Sequence, residues 1–128
     1  MTTLAELGAE KYVLLTTFRR DGRAVPTPLW VVPDGDGLAV WTRVDSGKVK
    51  RIRRSGRVTV APCTVRGTVT GAPVQARARV GGPADTDRVR RALGRKYGLL
   101  GRLTVWGSRR WRGADATVAV LITAPSAR

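Results

Sequence analysis

Residues 11–32, KYVLLTTFRRDGRAVPTPLWVV, decide the fold. Tyr12 to Arg19 and Ala24 to Val32 are short runs in which apolar and polar side chains alternate, the period of a half-buried strand. Asp21-Gly22 stands between them and favours a two-residue turn, so the runs pair as an antiparallel hairpin. Pro26 and Pro28 each lack a backbone N–H. That bars the second strand from full pairing on both sides and makes it an edge or bulged strand.

Moving C-terminally, Pro33 to Gly37 (PDGDG) turns the chain into a third strand, Leu38 to Arg43. Leu38, Val40 and Thr42 share one of its faces and Ala39, Trp41 and Arg43 the other. Three more runs follow: Arg57 to Cys63, Val74 to Val80 with Val74, Ala76, Ala78 and Val80 inward, and Thr117 to Ala124. Asp45 and Ser46 cap a short helix over Gly47 to Arg54, with Val49 and Ile52 on its buried side. A second helix fits Ala84 to Tyr97, capped by Asp85 or Thr86, striped by Val89, Leu93 and Tyr97, and ended by Gly98. Leu99 to Gly113 is a loose basic stretch. Six short strands with two or three helices predict a mainly β fold, a small six-stranded antiparallel barrel with peripheral helices, because closure hides the edges. There is no repeat or linker, and residues 1–128 read as a single domain.

The chain has 128 residues, 24 Lys+Arg against 9 Asp+Glu, a formal charge of +15, and 42% hydrophobic residues. That apolar content suffices for a packed core, so the charge sits on a folded surface and implies an anionic partner. Histidine is absent, which excludes Ser-His-Asp triads, Cys-His dyads and imidazole-based metal sites. The single cysteine, Cys63, excludes disulfides within the chain and multi-cysteine metal sites. No metal is expected. Nor does the N-terminus carry a signal-peptide pattern, and no stretch approaches the ~20 apolar residues of a membrane span, so a cytoplasmic setting is expected. No carboxylate pair stands out for acid–base work, and Cys63 and Ser108 have no neighbouring base. No catalytic side chain is expected.

Two basic clusters remain. Arg43 to Arg57 carries seven basic residues and one acid, Asp45. There a strand ends at Thr42, a Ser-Gly turn follows, and Lys48 lies one residue inside a helix. Thr42, Ser46, the Gly47 amide and Lys48 can therefore enclose a phosphate at the helix N-terminus, where backbone N–H groups are unpaired and the dipole is positive. The same residues also fit an ordinary solvated helix, and the GxxxxGK spacing of a Walker loop is missing. Arg88 to Arg112 carries nine basic residues and no acid; it is either a solvated face or an anchor for a polyanion, and Trp106 and Trp111 within it could stack on nucleic-acid bases. Trp30 and Trp41 fit the core of a small barrel, or a flat wall for a planar ring with Pro28 beside it.

Three segments, KYVLLTTFRRDGRAVPTPLWVV, VWTRVDSGKVKRIRRSGRVTVAPC and RRALGRKYGLLGRL, together resemble the small pyridoxamine 5'-phosphate oxidase-like (PPOX-class) oxidoreductases that use the deazaflavin coenzyme F420. The resemblance implies a split β-barrel of the FMN-binding type, forming a homodimer with cofactor sites in grooves between subunits. It places the cofactor phosphate against Thr42, Ser46, Lys48, Lys50 and Arg51. Pro26, Thr27, Pro28, Leu29 and Trp30 resemble the stretch that lies beside the deazaflavin ring. The implied reaction is hydride transfer between the deazaflavin C5 and a small unsaturated substrate, with arginines neutralising the coenzyme's phosphodiester and polyglutamate tail. Relatives commonly have Asn-Pro-Arg where this chain has Ser55-Gly56-Arg57, and Thr104 to Ala114 has no residue-by-residue counterpart; the Arg88 to Arg112 cluster is a candidate holder of the polyglutamate tail, with Arg109, Arg110 or Arg112 as its contacts not carried over from any matching position. The alternatives are an FMN-binding protein, an F420 carrier without turnover, and, in another class, an OB-like barrel for single-stranded nucleic acid.

Overall fold

The computed structural model describes residues 3–43, 45–112 and 117–125, with residues 99–112 as backbone only. Its order is α1 (Leu4–Leu7), β1 (Tyr12–Phe18), β2 (Ala24–Asp34), β3 (Gly37–Arg43), α2 (Gly47–Arg54), β4 (Arg57–Cys63), β5 (Val74–Val80), α3 (Pro83–Arg112) and β6 (Thr117–Thr123). The six strands close into an antiparallel barrel in the order β1-β2-β3-β6-β5-β4. This is the expected mainly β barrel with peripheral helices; an OB barrel has five strands, so that alternative is set aside. Among the described residues no helix is long and apolar enough to cross a membrane.

The barrel interior is filled by aliphatic side chains in strand alternation. Val13 and Leu15 of β1, Val31 of β2, Leu38 and Val40 of β3, Val58 and Val60 of β4, Ala76 and Ala78 of β5, and Val120 and Ile122 of β6 form one cluster. Ile52 from α2 and Leu4 and Leu7 from α1 join it from the helices. A second layer lies outside, where Val32, Ala39, Ala119 and Leu121 pack on Val89 and Leu93 of α3. The alternation in β3 and β5 is thus as expected. The two tryptophans are not in the barrel core: Trp30 and Trp41 are half-buried and pack against the outer layer, because the interior is already occupied by branched side chains.

β1 and β6 end one residue earlier than expected and β3 starts one residue earlier; the larger differences lie at the first hairpin, at the end of β2 and in α3. The first hairpin is wider than a two-residue turn, with Arg19 N–H donating to Arg23 O at 2.9 Å and Gly22 at φ 89°; Asp21 accepts from Arg23 N and Nε and stabilises that wider loop. β2 runs two residues further than Val32, because Pro33 and Asp34 still pair with Leu38 and Gly37. α3 starts at Pro83 after Gly82, and Asp85 reaches back to accept from Gly82 N instead of capping from outside. Gly98, at φ 63° and ψ −143°, does break the helix, yet helical backbone resumes and reaches Arg112 where a loose stretch was expected. Thr86 is buried and accepts from Ala119 N at 3.2 Å, which ties α3 to β6.

Candidate functional site

β2 is what opens the barrel wall. It pairs with β1 from Ala24 to Trp30 and with β3 only from Val31 to Asp34. The edge of residues 24–30 that faces away from β1 is therefore unpaired with β3. Successive groups in an antiparallel ladder point alternately toward and away from the partner. Val31 turns its N–H and C=O to the β1 side, where Tyr97 and Lys96 take them; Thr27 and Leu29 share its phase, so Pro26 and Pro28 lack their N–H on the open edge. The expected edge strand is present, and its prolines explain why no neighbour zips onto it.

The five ring-facing candidates do not form one wall. Thr27 is paired with Leu15 and Leu29 with Val13, both inward, whereas Pro26, Pro28 and Trp30 share the outer face with Thr16, Leu14 and Tyr12. A planar ring has access either to the backbone edge or to that outer face. One face of Trp30 is already used: its ring is stacked on Tyr97 with centroids 4.4 Å apart and planes 8° from parallel.

α2 places the cations. Ser46 caps it, its Oγ accepting from Val49 N at 3.4 Å, while Val49 and Ile52 are buried. That seats the first turn on the barrel, leaving Gly47 exposed and Lys48 half-buried. Arg51, one turn on, folds back over Gly47 so closely that a Cβ there would stand 2.8 Å from its Nη1. Its Nε donates to the buried Thr17 Oγ1 at 2.7 Å. Burial lowers the Lys48 pKa, with the Arg51 charge adding to it. Burial likewise lowers that of Arg51, beside Arg19 and Arg54. The one acid of the segment, Asp45, is taken by Arg43 at 2.9 Å. Cations are thus crowded against a helix N-terminus with no carboxylate paired to Lys48 or Arg51 among the described residues, an arrangement that an anion would relieve.

Ser46, Gly47, Lys48 and Arg51 are therefore brought together. Thr17 connects them to β2, since it pairs with Val25 beside Pro26. Thr42 lies half-buried on the part of β3 that pairs with Val118 of β6 alone. Lys50 is exposed; its main-chain N–H donates to Ser46 O at 3.4 Å, and among the described residues no hydrogen bond or ion pair joins its side chain to the cluster. Sequence reasoning missed Thr17, although its phase with Val13 and Leu15 puts a polar side chain on the inward face. It also missed Arg54, which donates to Phe18 O at 2.6 Å, and Arg57, which lies 4.2 Å over the Phe18 ring.

The second basic cluster is partly engaged already. Arg88 binds Asp34 and Asp85, Arg90 binds Asp87, and Lys96 donates to three carbonyls. The roles weighed for Trp106, Ser108, Arg109, Arg110, Trp111 and Arg112 fall outside the described side chains. A cleft of about 390 Å³ between Arg77 and Arg79, bordered by Gly56 and Thr123, lies past the C-terminal end of α2 and is separate from the site at its N-terminus. Among the described residues no group of three metal-ligating side chains occurs, and Cys63 is buried with its thiol pKa pushed up by burial and by Glu10.

The closed barrel with a split at β2 and a cationic helix N-terminus beside it define a split-barrel protein. The chain belongs to the pyridoxamine 5'-phosphate oxidase family, which it matches over residues 2–124. No curated protein matches it. Solved structures with the same fold include the heme storage protein HutZ from Vibrio cholerae, at TM-score 0.66 and 11% identity over 98% of this chain and 92% of that one. An FAD-binding protein from Mesorhizobium loti aligns at TM-score 0.63 and 18% identity over 94% and 83%. An F420 reductase aligns at TM-score 0.56 and 17% identity over 98% and 95%. These likenesses establish the fold; their three different ligands mean that the fold alone does not select the cofactor.

Proposed function

We propose that the protein is a coenzyme F420-dependent oxidoreductase of this family, acting as a homodimer on a small unsaturated substrate. The observation that supports it most directly is Arg51 folded over Gly47 beside a half-buried Lys48. Ser46 fixes the helix start, the Gly47 and Lys48 amides point at the phosphate, and Lys48 and Arg51 neutralise it. The same proposal assigns Thr42 and Lys50, which flank Ser46 in the chain, to the phosphate as well. The open edge of Pro26–Trp30 flanks the ring, since Pro26 and Pro28 cannot donate to a neighbouring strand and so leave that edge free for a ligand. Hydride transfer at the deazaflavin C5 is the chemistry such a cofactor supplies when bound. The chain itself binds, orients and excludes water, which suits a protein without histidine. Exposed arginines of β4 and β5, Arg57, Arg77 and Arg79, extend the positive surface away from α2 for an anionic tail. A cytoplasmic setting belongs to the same proposal.

Titration of the purified protein with oxidised F420 and, separately, with FMN tests it. Micromolar or tighter binding of F420 is the expected result; tight FMN binding with no response to F420 overturns it in favour of the flavin reading, since the same helix N-terminus would hold the FMN phosphate. Binding without turnover of any acceptor identifies a carrier instead.

The dimer is supported by the β4–β5 connection. It carries Val65 and Val69 at 61% and 47% exposure and lays Gly67 against Leu14 and Pro28 on the outer face of β1 and β2. Large aliphatic side chains exposed together on one connection favour burial against a second copy.

A further inference from the structure

We propose that Lys96 and Tyr97 are positioning residues, a clamp that sets the plane of Trp30 and so orients the ring of the bound cofactor; this rests on the reading of the Pro26–Trp30 segment given above. The need for a clamp arises from the topology. At Val31, β2 has passed the end of β1, whose first residue is Tyr12, and has begun to pair with β3. Its N–H and C=O on the β1 side would have no strand to meet, and neither would the carbonyl of Lys11. An orphaned backbone group at that depth costs more than the bond itself.

Two adjacent side chains, 65 and 66 residues away, close the gap. The Tyr97 hydroxyl accepts from Val31 N at 3.0 Å and lies 2.7 Å from Lys11 O and 2.8 Å from Val31 O. Lys96 Nζ donates to Val31 O at 2.7 Å, Gly8 O at 2.8 Å and Glu10 O at 2.5 Å. An ammonium has three N–H donors and a phenol one. With Lys96 on Val31 O, the Tyr97 proton is left for Lys11 O, and every donor and acceptor of the junction is used. Lys96 has no carboxylate partner within ion-pair distance among the described residues, and burial lowers its pKa, with Glu10 acting in the opposite direction.

This junction reaches the candidate site through Tyr97. Its ring lies parallel to Trp30, so a phenol held at both ends of its hydrogen-bond set fixes the indole plane as well. A ring laid on Trp30 has only the face away from Tyr97. The Gly98 break immediately after the pair, at φ 63°, ends the first helical segment of α3, which places both side chains in its last turn over the β1–β2 junction.

Tyr97→Phe keeps the stack and removes the hydroxyl; Lys96→Met keeps the stem and removes the charge. The readouts are the dissociation constants of F420 and of the deazaflavin ribityl alcohol that lacks the phosphodiester, near-ultraviolet circular dichroism, and exchange of the Val31 amide. In variants that retain the wild-type far-ultraviolet spectrum, both ligands should weaken by the same factor, about tenfold for the loss of one buried hydrogen bond. Val31 exchange should quicken and the aromatic dichroism should fall. Lys48→Ala, by contrast, should weaken only the phosphodiester-bearing ligand. Unchanged affinity, dichroism and exchange in Tyr97→Phe overturn the clamp, and that variant decides the matter if Lys96→Met does not fold. If the wild-type chain binds neither F420 nor FMN, the cofactor reading fails by itself; the clamp on Trp30 then stands or falls on dichroism and exchange in the ligand-free chain.

Discussion

Lys48 and Arg51 are held near each other against their own repulsion, and that is the local fact on which the site turns. Lys48→Ala should weaken F420 binding by about 1.5–3 kcal/mol, the range for a hydrogen bond to a charged group, as measured by titration calorimetry. The same lysine gives a pH dependence of known sign. Its pKa in the fold is lowered from 10.5, chiefly by burial, so between the lowered value and 10.5 the unfolded chain binds more protons than the folded one. Its contribution to folding stability therefore rises with pH across that alkaline window, while anion binding falls as the side chain loses its charge. Because Lys96, Cys63 and Tyr97 also titrate in the alkaline range, the measurement is the difference between the unaltered protein and Lys48→Met in chemical denaturation and in F420 titration. The stability difference should rise with pH in favour of the unaltered protein while its binding advantage falls, and differences that do not change with pH contradict the assignment. Ser46 and Lys48 were legible because a cap and a first-turn cation are local patterns. Thr17 was legible in principle, as a polar residue in phase with Val13 and Leu15. The Trp30–Tyr97 stack was not, because nothing local in either segment records a partner 67 residues away.

Among the elements, β2 and α3 carry the most. β2 changes partners midway, and the prolines that make this possible are visible in the chain, but the residue at which it changes is not: that depends on where β1 ends. β3 is held to β6 so closely at its start that a Cβ on Gly37 would collide with the Ile122 carbonyl oxygen. Gly37→Ala should accordingly cost about 2–3 kcal/mol, lowering the thermal midpoint by several degrees, since main chain cannot be moved aside as a side chain can. Leu93 is fully buried between α3 and the outer face of the sheet. Leu93→Ala should cost about 2–5 kcal/mol through the cavity it leaves, read from urea unfolding. Helical periodicity located this stripe correctly because Val89 and Leu93 recur at i, i+4. The same method missed the helix beyond Gly98, where basic and glycine residues dilute the apolar period.

For the molecule as a whole, the surplus charge and the exposed valines set the expected behaviour. F420 affinity should fall as salt rises from ~0.01 M to ~0.15 M, because exposed cations are screened over about 8–30 Å in that range. Isothermal titration at a series of ionic strengths checks this, and a flat response argues against a tail lying along Arg57, Arg77 and Arg79. Sedimentation equilibrium should show a dimer, and Val69→Asp should shift it toward monomer with the circular dichroism of the barrel retained; a monomer in the unaltered protein contradicts the dimer.

By itself the chain's pattern of alternation, turns and caps determined the six strands, the short capped helix and the cationic character of its first turn, since each depends on interactions within a few residues. Only the tertiary structure decided which cations are left without a carboxylate among the described residues, that Trp30 and Trp41 lie outside the barrel interior, and that Lys96 and Tyr97 complete the β2 junction. Ion pairing and aromatic stacking here join residues as far apart as Asp34 and Arg88 or Trp30 and Tyr97. Such partners are chosen by how the closed barrel brings its surfaces together, and no local period encodes that choice.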